Sequence, residues 1–261
     1  MSDPTVPGLS YIVDEAIATI TLDRPEKLNA LTPEMLEGLE SLLDTIEADA
    51  SIRVVVVTGS GDRAFCAGAD ILAWSALSPL DMWRRWVRLG HRVFDRLEGL
   101  RQPTIAQLNG IAYGGGLELA LACDLRIAAD GITVAAPEVG IGTIPGWGMT
   151  TRLAVVAGPA RAKQMILSGQ PVDARRAEAW GILSDVVPAA DLPDSTRQAA
   201  DRIAAMAPIA VQVAKQVIDG IRPRVSPSLE ALGSGLTAFT DDASEGQASF
   251  RERRPAKFRG S

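Results

Sequence analysis

Residues 53–58 read RVVVVT, four valines in a row with no polar residue between them. A β-branched run that does not alternate is a strand buried on both faces. Such a strand needs cover above and below, and the chain's own crossover helices supply it most simply, which favours an α/β fold. The flanking patterns agree. Strands are expected at Tyr11–Val13, Ala18–Leu22, Thr104–Leu108 and Asp124–Ala128. Between them, Thr32, Pro33 and Glu34 supply an N-cap, an N1 proline and a first-turn acid, and Leu36, Leu39, Leu43 and Ile46 follow at helical spacing. A second long helix is expected over much of 80–97. From Gly158 onward the pattern is almost all helical, including an alanine-rich stretch over 194–218 and a last helical pair from Ser226. A boundary is therefore drawn near residue 200, between an α/β core (1–200) and a helical C-terminal part (201–261).

The chain has 261 residues, 47% of them apolar, which suffices for a full core in one large domain, with or without a small appendage. Its formal charge of −6 argues against a general nucleic-acid binder, which needs a basic face. No apolar stretch reaches the roughly eighteen residues of a membrane span, and the opening MSDPTVPGLS lacks the basic and apolar regions of a signal peptide. Cys66 and Cys123 show neither zinc spacing nor a disulfide framework. The expectation is a soluble, cytoplasmic protein without membrane or nucleic-acid partners.

Several familiar chemistries drop out. VVVVTGSGDRA begins like a dinucleotide fingerprint, but no amphipathic helix follows and no acid ends a second strand about twenty residues on. There is no GxxxxGK[ST] and no GxSxG. His91, the one histidine, lies in RLGHRVFDRL and is read as solvated on an Arg-rich helix face, which removes most Ser-His and Cys-His schemes. Two glycine-containing loops, CAGAD and YGGGLE, precede helical patterns. Either alone is a tight turn; together they could aim two N–H groups at one oxyanion. Two acids stand isolated in apolar stretches, Glu118 in GGGLELALA and Glu138 in VAAPEVGIG. Each by itself reads equally well as a capped or salt-bridged structural acid. As a pair they could divide proton donation from proton removal.

The blocks DRPEKLNAL, AFCAGADI, IAQLNGIAYGGGLELALACDLRIAA, APEVGIGTIPGWG and RERRPAKF, taken in order, resemble the crotonase superfamily, and most closely the enoyl-CoA hydratases. The resemblance spans essentially the whole chain. It implies a spiral of repeated ββα units whose C-terminal helices trimerise, often as a dimer of trimers. It places an oxyanion hole at the N–H groups of Ala69 and Gly115 and matches Glu118 and Glu138 to the two catalytic glutamates. By the same likeness Glu118 activates water for attack at C3, Glu138 protonates C2, and Lys27, Leu28, Ala67, Asp70, Ile71, Tyr113 and Trp147 belong to the acyl-CoA groove. The basic tail, Arg251, Arg253, Arg254, Lys257 and Arg259, could meet CoA phosphates or be a solvated helix end. No metal or redox cofactor is implied, since coenzyme A arrives with the substrate. Two alternatives stay open: double-bond isomerisation on the same fold, with Glu138 as a mobile base, and a non-catalytic acyl-CoA-binding or assembly protein. Where the family pattern usually continues with the small residues A-G-G, this chain has Trp147, Gly148 and Met149. Trp74 and MWRRWVR at 82–88 add further bulk near the acyl pocket.

Overall fold

The computed structural model describes residues 6–220 and 227–259; the extreme N-terminus and the Ser226 start of the last helical pair lie outside the described residues. A hairpin opens the chain, β1 (Leu9–Asp14) with β2 (Ile17–Leu22). α1 (Pro33–Ala48) then begins as its capping residues predict, with the Thr32 side chain accepting the Met35 N–H, and it buries Leu36, Leu39, Leu43 and Ile46.

Three strand–strand–helix units follow. β3 (Val54–Gly59) and β4 (Ala64–Cys66) lead to α2 (Ile71–Trp74) and α3 (Pro79–Asp81). A π-helical turn, Met82–Trp86, joins α3 to α4 (Val87–Glu98). β5 (Thr104–Leu108) and β6 (Ile111–Tyr113) lead to α5 (Gly115–Leu121). β7 (Leu125–Ala129) and β8 (Thr133–Ala135) run through a 3-10 turn, Glu138–Ile141, to α6 (Met149–Ala157) and α7 (Pro159–Ser168). β9 (Val172–Asp173), α8 (Ala174–Ala179), β10 (Asp185–Val187) and α9 (Leu192–Ala204) complete the core.

The first strands of the units lie side by side in a six-stranded sheet ordered β1-β2-β3-β5-β7-β10, parallel from β2 onward. Their second strands build a smaller sheet, β4-β6-β8-β9, in which β4, β6 and β8 are parallel neighbours. Each turn of the spiral thus adds one strand to each sheet. All of β3 is buried, as its valines require, and α9 packs across β3, β5 and β7. The C-terminal ends of β4, β6 and β8 come out at one place, where open α/β sheets bind ligands.

Three features differ from the sequence expectation. Residues beyond 158 are not wholly helical, because β9 pairs with β8 and β10 extends the main sheet beside β7. Strands of two or three residues are too short to show a period of two. The 194–218 stretch is broken before Pro208, so α9 ends at Ala204 and α10 (Pro208–Gly220) begins afresh. The part beyond 200 also docks tightly on the core. Buried Lys215 of α10 sits 2.7 Å from an Asp124 carboxylate oxygen and donates to the Gln102 carbonyl at 3.1 Å. α11 (Pro227–Ala238) and α12 (Asp241–Glu252) fold back against the π turn, α4 and the 3-10 turn. Among the described residues no helix is long and apolar enough to cross a membrane.

Asn29 ties the loop before α1 to the small sheet. It is fully buried, with φ +56°, and its amide donates to the carbonyls of Ser60 (3.0 Å) and Ala64 (2.8 Å) while accepting the Arg24 N–H (3.0 Å). Asn29→Ala strands these buried groups and is expected to cost about 1–3 kcal/mol. A lowered denaturation midpoint at unchanged denaturant slope would register it.

Candidate active site

The site begins where β6 ends. Gly114 takes φ +51° with ψ −124°, a conformation open to glycine and closed to residues with a Cβ, and this turn starts α5. Gly115 is the first residue of that helix, so its N–H has no carbonyl one turn back to bond. Ala69, in the loop after β4, lies beside it: a Cβ built on Gly115 would stand 3.3 Å from the Ala69 nitrogen. Ala69 N–H donates to no backbone carbonyl among the described residues. Two N–H groups therefore meet at the ends of two adjacent parallel strands.

Glu118 sits one turn into α5 and is 3% exposed. Its Oε1 accepts the N–H groups of Trp147 at 2.7 Å and Met149 at 3.1 Å. Glu138 follows β8, the third of the parallel neighbours, and is 9% exposed. Neither of its carboxyl oxygens has a hydrogen-bond partner from another of the described residues. Burial raises the Glu118 pKa, the charges of Glu138 and Glu230 raise it further, and the two N–H bonds pull it back. Burial likewise raises Glu138, against its own backbone N–H and with the Glu230 charge adding. Desolvated carboxyls that repel one another do not both ionise near neutral pH.

Both acids and the Ala69–Gly115 pair line one cavity of about 440 Å³, together with Leu28, Ala67, Ile71, Tyr113 and Trp147. Lys27 and Asp70 are not on its wall. Asp70 instead caps α2 by accepting the Leu72 N–H and pairs with Arg24 at 3.1 Å. The Tyr113 hydroxyl is 2.7 Å from that of Thr133. The Trp147 ring packs on Trp86 and edge-on against Phe94, with centroids 5.1 and 5.4 Å apart. Trp74, Met82, Trp86, Val87 and Ile144 make an apolar end to the cavity, while Ser234 of α11 and Phe250 of α12 close it from the C-terminal side. In the basic tail, Arg254 is held by Glu245 and Glu252, both at 2.6 Å.

His91 corrects the sequence reading. Rather than solvated, it is buried, with Nε2 2.8 Å from Glu230 Oε2 and Nδ1 3.9 Å from Asp95. It lies on the buried stripe of α4 with Val87, Gly90 and Phe94, and α11 folds over it; the neighbouring Arg88, Arg92 and Asp95 give the segment its polar look in the sequence. Glu230 escaped the sequence reading altogether. Its Oε2 also accepts the Gly148 N–H at 2.7 Å, and its Oε1 accepts the Thr150 N–H at 3.2 Å and the Thr150 hydroxyl. The signal that exposed Glu118, a lone acid among small and apolar residues, is present again in EALGSGL.

Burial lowers the His91 pKa, but the carboxylates of Asp95 and Glu230 outweigh it and the group is pushed up to about 9. A folded-state value above the ordinary 6.5 stabilises the fold fully below that pH, and the contribution is lost as pH climbs to about 9. The melting temperature is therefore expected to fall across this window. His91→Gln should melt lower than the parent at pH 6 and decline less steeply above it, as thermal unfolding across pH would show.

The comparisons with known proteins fit this geometry. The family model for enoyl-CoA hydratase/isomerase matches residues 13–261. The short-chain-enoyl-CoA hydratase of Clostridium acetobutylicum is 36% identical over 91% of this chain and 92% of its own. The crotonyl-CoA hydratase of Syntrophomonas wolfei is 36% identical over 94% of this chain and 95% of its own. Among solved structures, an enoyl-CoA hydratase from Bacillus anthracis superposes with a TM-score of 0.80 at 36% identity, covering 97% of this chain and all of that one. With its fold and nearly its whole length matched in this way, the chain belongs to the enoyl-CoA hydratase/isomerase family of the crotonase superfamily.

Proposed function

We propose that the protein is an enoyl-CoA hydratase that adds water reversibly across a trans-2-enoyl thioester to give the 3-hydroxyacyl thioester. The observation that carries this reading is the pair of buried carboxyls, Glu118 and Glu138, sharing an apolar cavity with the free N–H groups of Ala69 and Gly115. The names of the related hydratases point the same way.

In this scheme the thioester oxygen accepts both N–H groups, which draws electrons from C3 and stabilises the enolate that forms. Each such donor is typically worth about 10²- to 10³-fold in rate. Two amide donors favour the charged form of Glu118, whereas the unpaired oxygens of Glu138 favour its protonated form. Glu118 then takes a proton from water as its oxygen bonds to C3, and Glu138 gives its proton to C2. Return of the proton from Glu118 to Glu138 resets the pair. Leu28, Ala67 and Ile71 are the groove for the CoA arm, and the wall of Trp74, Met82, Trp86 and Ile144 receives a hydrocarbon acyl group. No metal or redox group enters the scheme.

We also propose a homotrimer or a dimer of trimers working in the cytoplasm. Ile209, Val213 and Val217 repeat every four residues along α10, and all are more than half exposed, as are Leu232, Leu236 and Phe239 at α11. Apolar surface of that kind usually marks an interface.

Glu118→Gln and Glu138→Gln are each expected to lower kcat at least about 10²-fold, the usual size of an acid–base contribution. The measurement is loss of the conjugated thioester absorbance on adding 2-enoyl-CoA to purified protein. Activity within twofold of the parent in both variants would sink the two-acid scheme. Appearance of that absorbance from 3-enoyl-CoA, without its loss from 2-enoyl-CoA, would point to isomerisation instead.

A further inference from the structure

The backbone between the cavity wall and α6 offers four consecutive N–H groups, and they alternate between two buried carboxylates. Trp147 and Met149 donate to Glu118; Gly148 and Thr150 donate to Glu230. The N-cap of α6 is Gly148, at φ +110°, and it has no side chain with which to cap the helix. A helix start without a cap leaves its first amides unpaired and partly positive. Glu118 on α5 and Glu230 on α11 meet that need from two sides of the same turn.

Glu230 is itself anchored. His91 of α4 binds its Oε2, and Asp95, one turn along α4, faces the other imidazole nitrogen. Asp95 and Glu98 hold Arg152 of α6 at 2.6 and 2.9 Å. Arg152 returns to the turn by donating to the Trp147 carbonyl at 2.7 Å. The chain of contacts closes on itself: Glu230, His91, Asp95, Arg152, Trp147, Gly148 and back to Glu230. Trp147 is thus fixed at both ends of its peptide unit, its N–H on Glu118 and its carbonyl on Arg152.

We infer that Glu230 is a positioning residue for hydration, holding the 147–150 backbone so that Glu118 keeps its two amide donors and its aim at the attacking water. The inference rests on the role proposed above for Glu118. It differs from ordinary helix capping in one respect. The amides that Glu230 sets in place alternate with those that carry the Glu118 charge, so a slack turn leaves Glu118 less ionised and misaimed as well as loosening the helix. The negative charge of Glu230 also raises the pKa of both Glu118 and Glu138. The other ionisable groups around it are His91 and Asp95 from α4, with Arg152 from α6.

Three variants test this, Glu230→Ala, Glu230→Gln and the control Glu118→Gln, each compared with the parent in steady-state hydration across pH. Glu230→Ala is expected to lower kcat about tenfold or more with KM within about threefold, the pattern of an interaction needed in the transition state. Glu230→Gln keeps an oxygen for the turn's amides and should recover most of that loss. Glu230→Gln, which removes the charge but keeps the turn, should move the pH limb set by the two catalytic acids to lower pH, because a nearby negative charge has gone. A smaller folded fraction lowers apparent kcat at unchanged KM, so rates are normalised to folded protein by circular dichroism and active-site titration; loss of stability does not move the pH limb. Glu230→Ala with kcat within twofold of the parent, a rise in KM alone, or an unmoved pH limb in Glu230→Gln would overturn the inference. If the alanine variant does not fold, the pH limb of Glu230→Gln decides. Failure of the hydratase reading looks different: the parent would not consume 2-enoyl-CoA, or Glu118→Gln would leave it active.

Discussion

A carboxylate inside an apolar helix can persist only if donors reach it where water cannot. Two backbone amides, from Trp147 and Met149, do this for Glu118, and much of the site's architecture serves to hold them there. Backbone donors carry no extra bulk and no compensating full charge, so the acid stays near the edge of ionisation instead of being locked as an ion pair. That poise is what proton transfer near neutral pH requires. Glu138 has no such donor from another residue, so the two buried carboxyls stand in different environments.

The spiral explains how the rest of the site assembles. Three consecutive units send their second strands, β4, β6 and β8, into one small sheet in which they are parallel, and a site residue follows each strand end within two or three residues. Ala69, Gly115 and Glu138 are distant along the chain but occupy equivalent places in successive turns. Small residues in the first two loops let the backbone itself face the substrate, while the third places a side chain. The larger sheet, with its valine-filled β3, supplies the rigid floor.

The C-terminal helices have two faces with different roles. Inward, α11 and α12 bring Glu230, Ser234 and Phe250 to the site and seal His91 from water. Outward, α10 and α11 leave rows of apolar side chains exposed. The boundary read from the sequence near residue 200 falls inside α9, and the helices beyond it complete the pocket that the core begins.

Local chemistry was legible in the sequence wherever one segment decides the outcome. The valine run made a buried strand, Thr32 with Pro33 started α1, and Glu118 and Glu138 stood out because each interrupts an apolar stretch of its own. Strands of three residues were not legible, since pairing with neighbours and not their own pattern makes them strands. His91 was misread for a related reason: exposure depends on what lies over a residue, and α11 arrives there from the far end of the chain. Sequence by itself determined the longer strands and helices, the family likeness and the presence of two acids isolated in apolar stretches. Only the tertiary structure decided which amides meet those acids, that Trp147 turns its backbone to Glu118 and its ring to Trp86 and Phe94, and that a third acid, Glu230, steadies the turn between them. Periodicity encodes which side of an element is buried, whereas partners across the chain are set by packing.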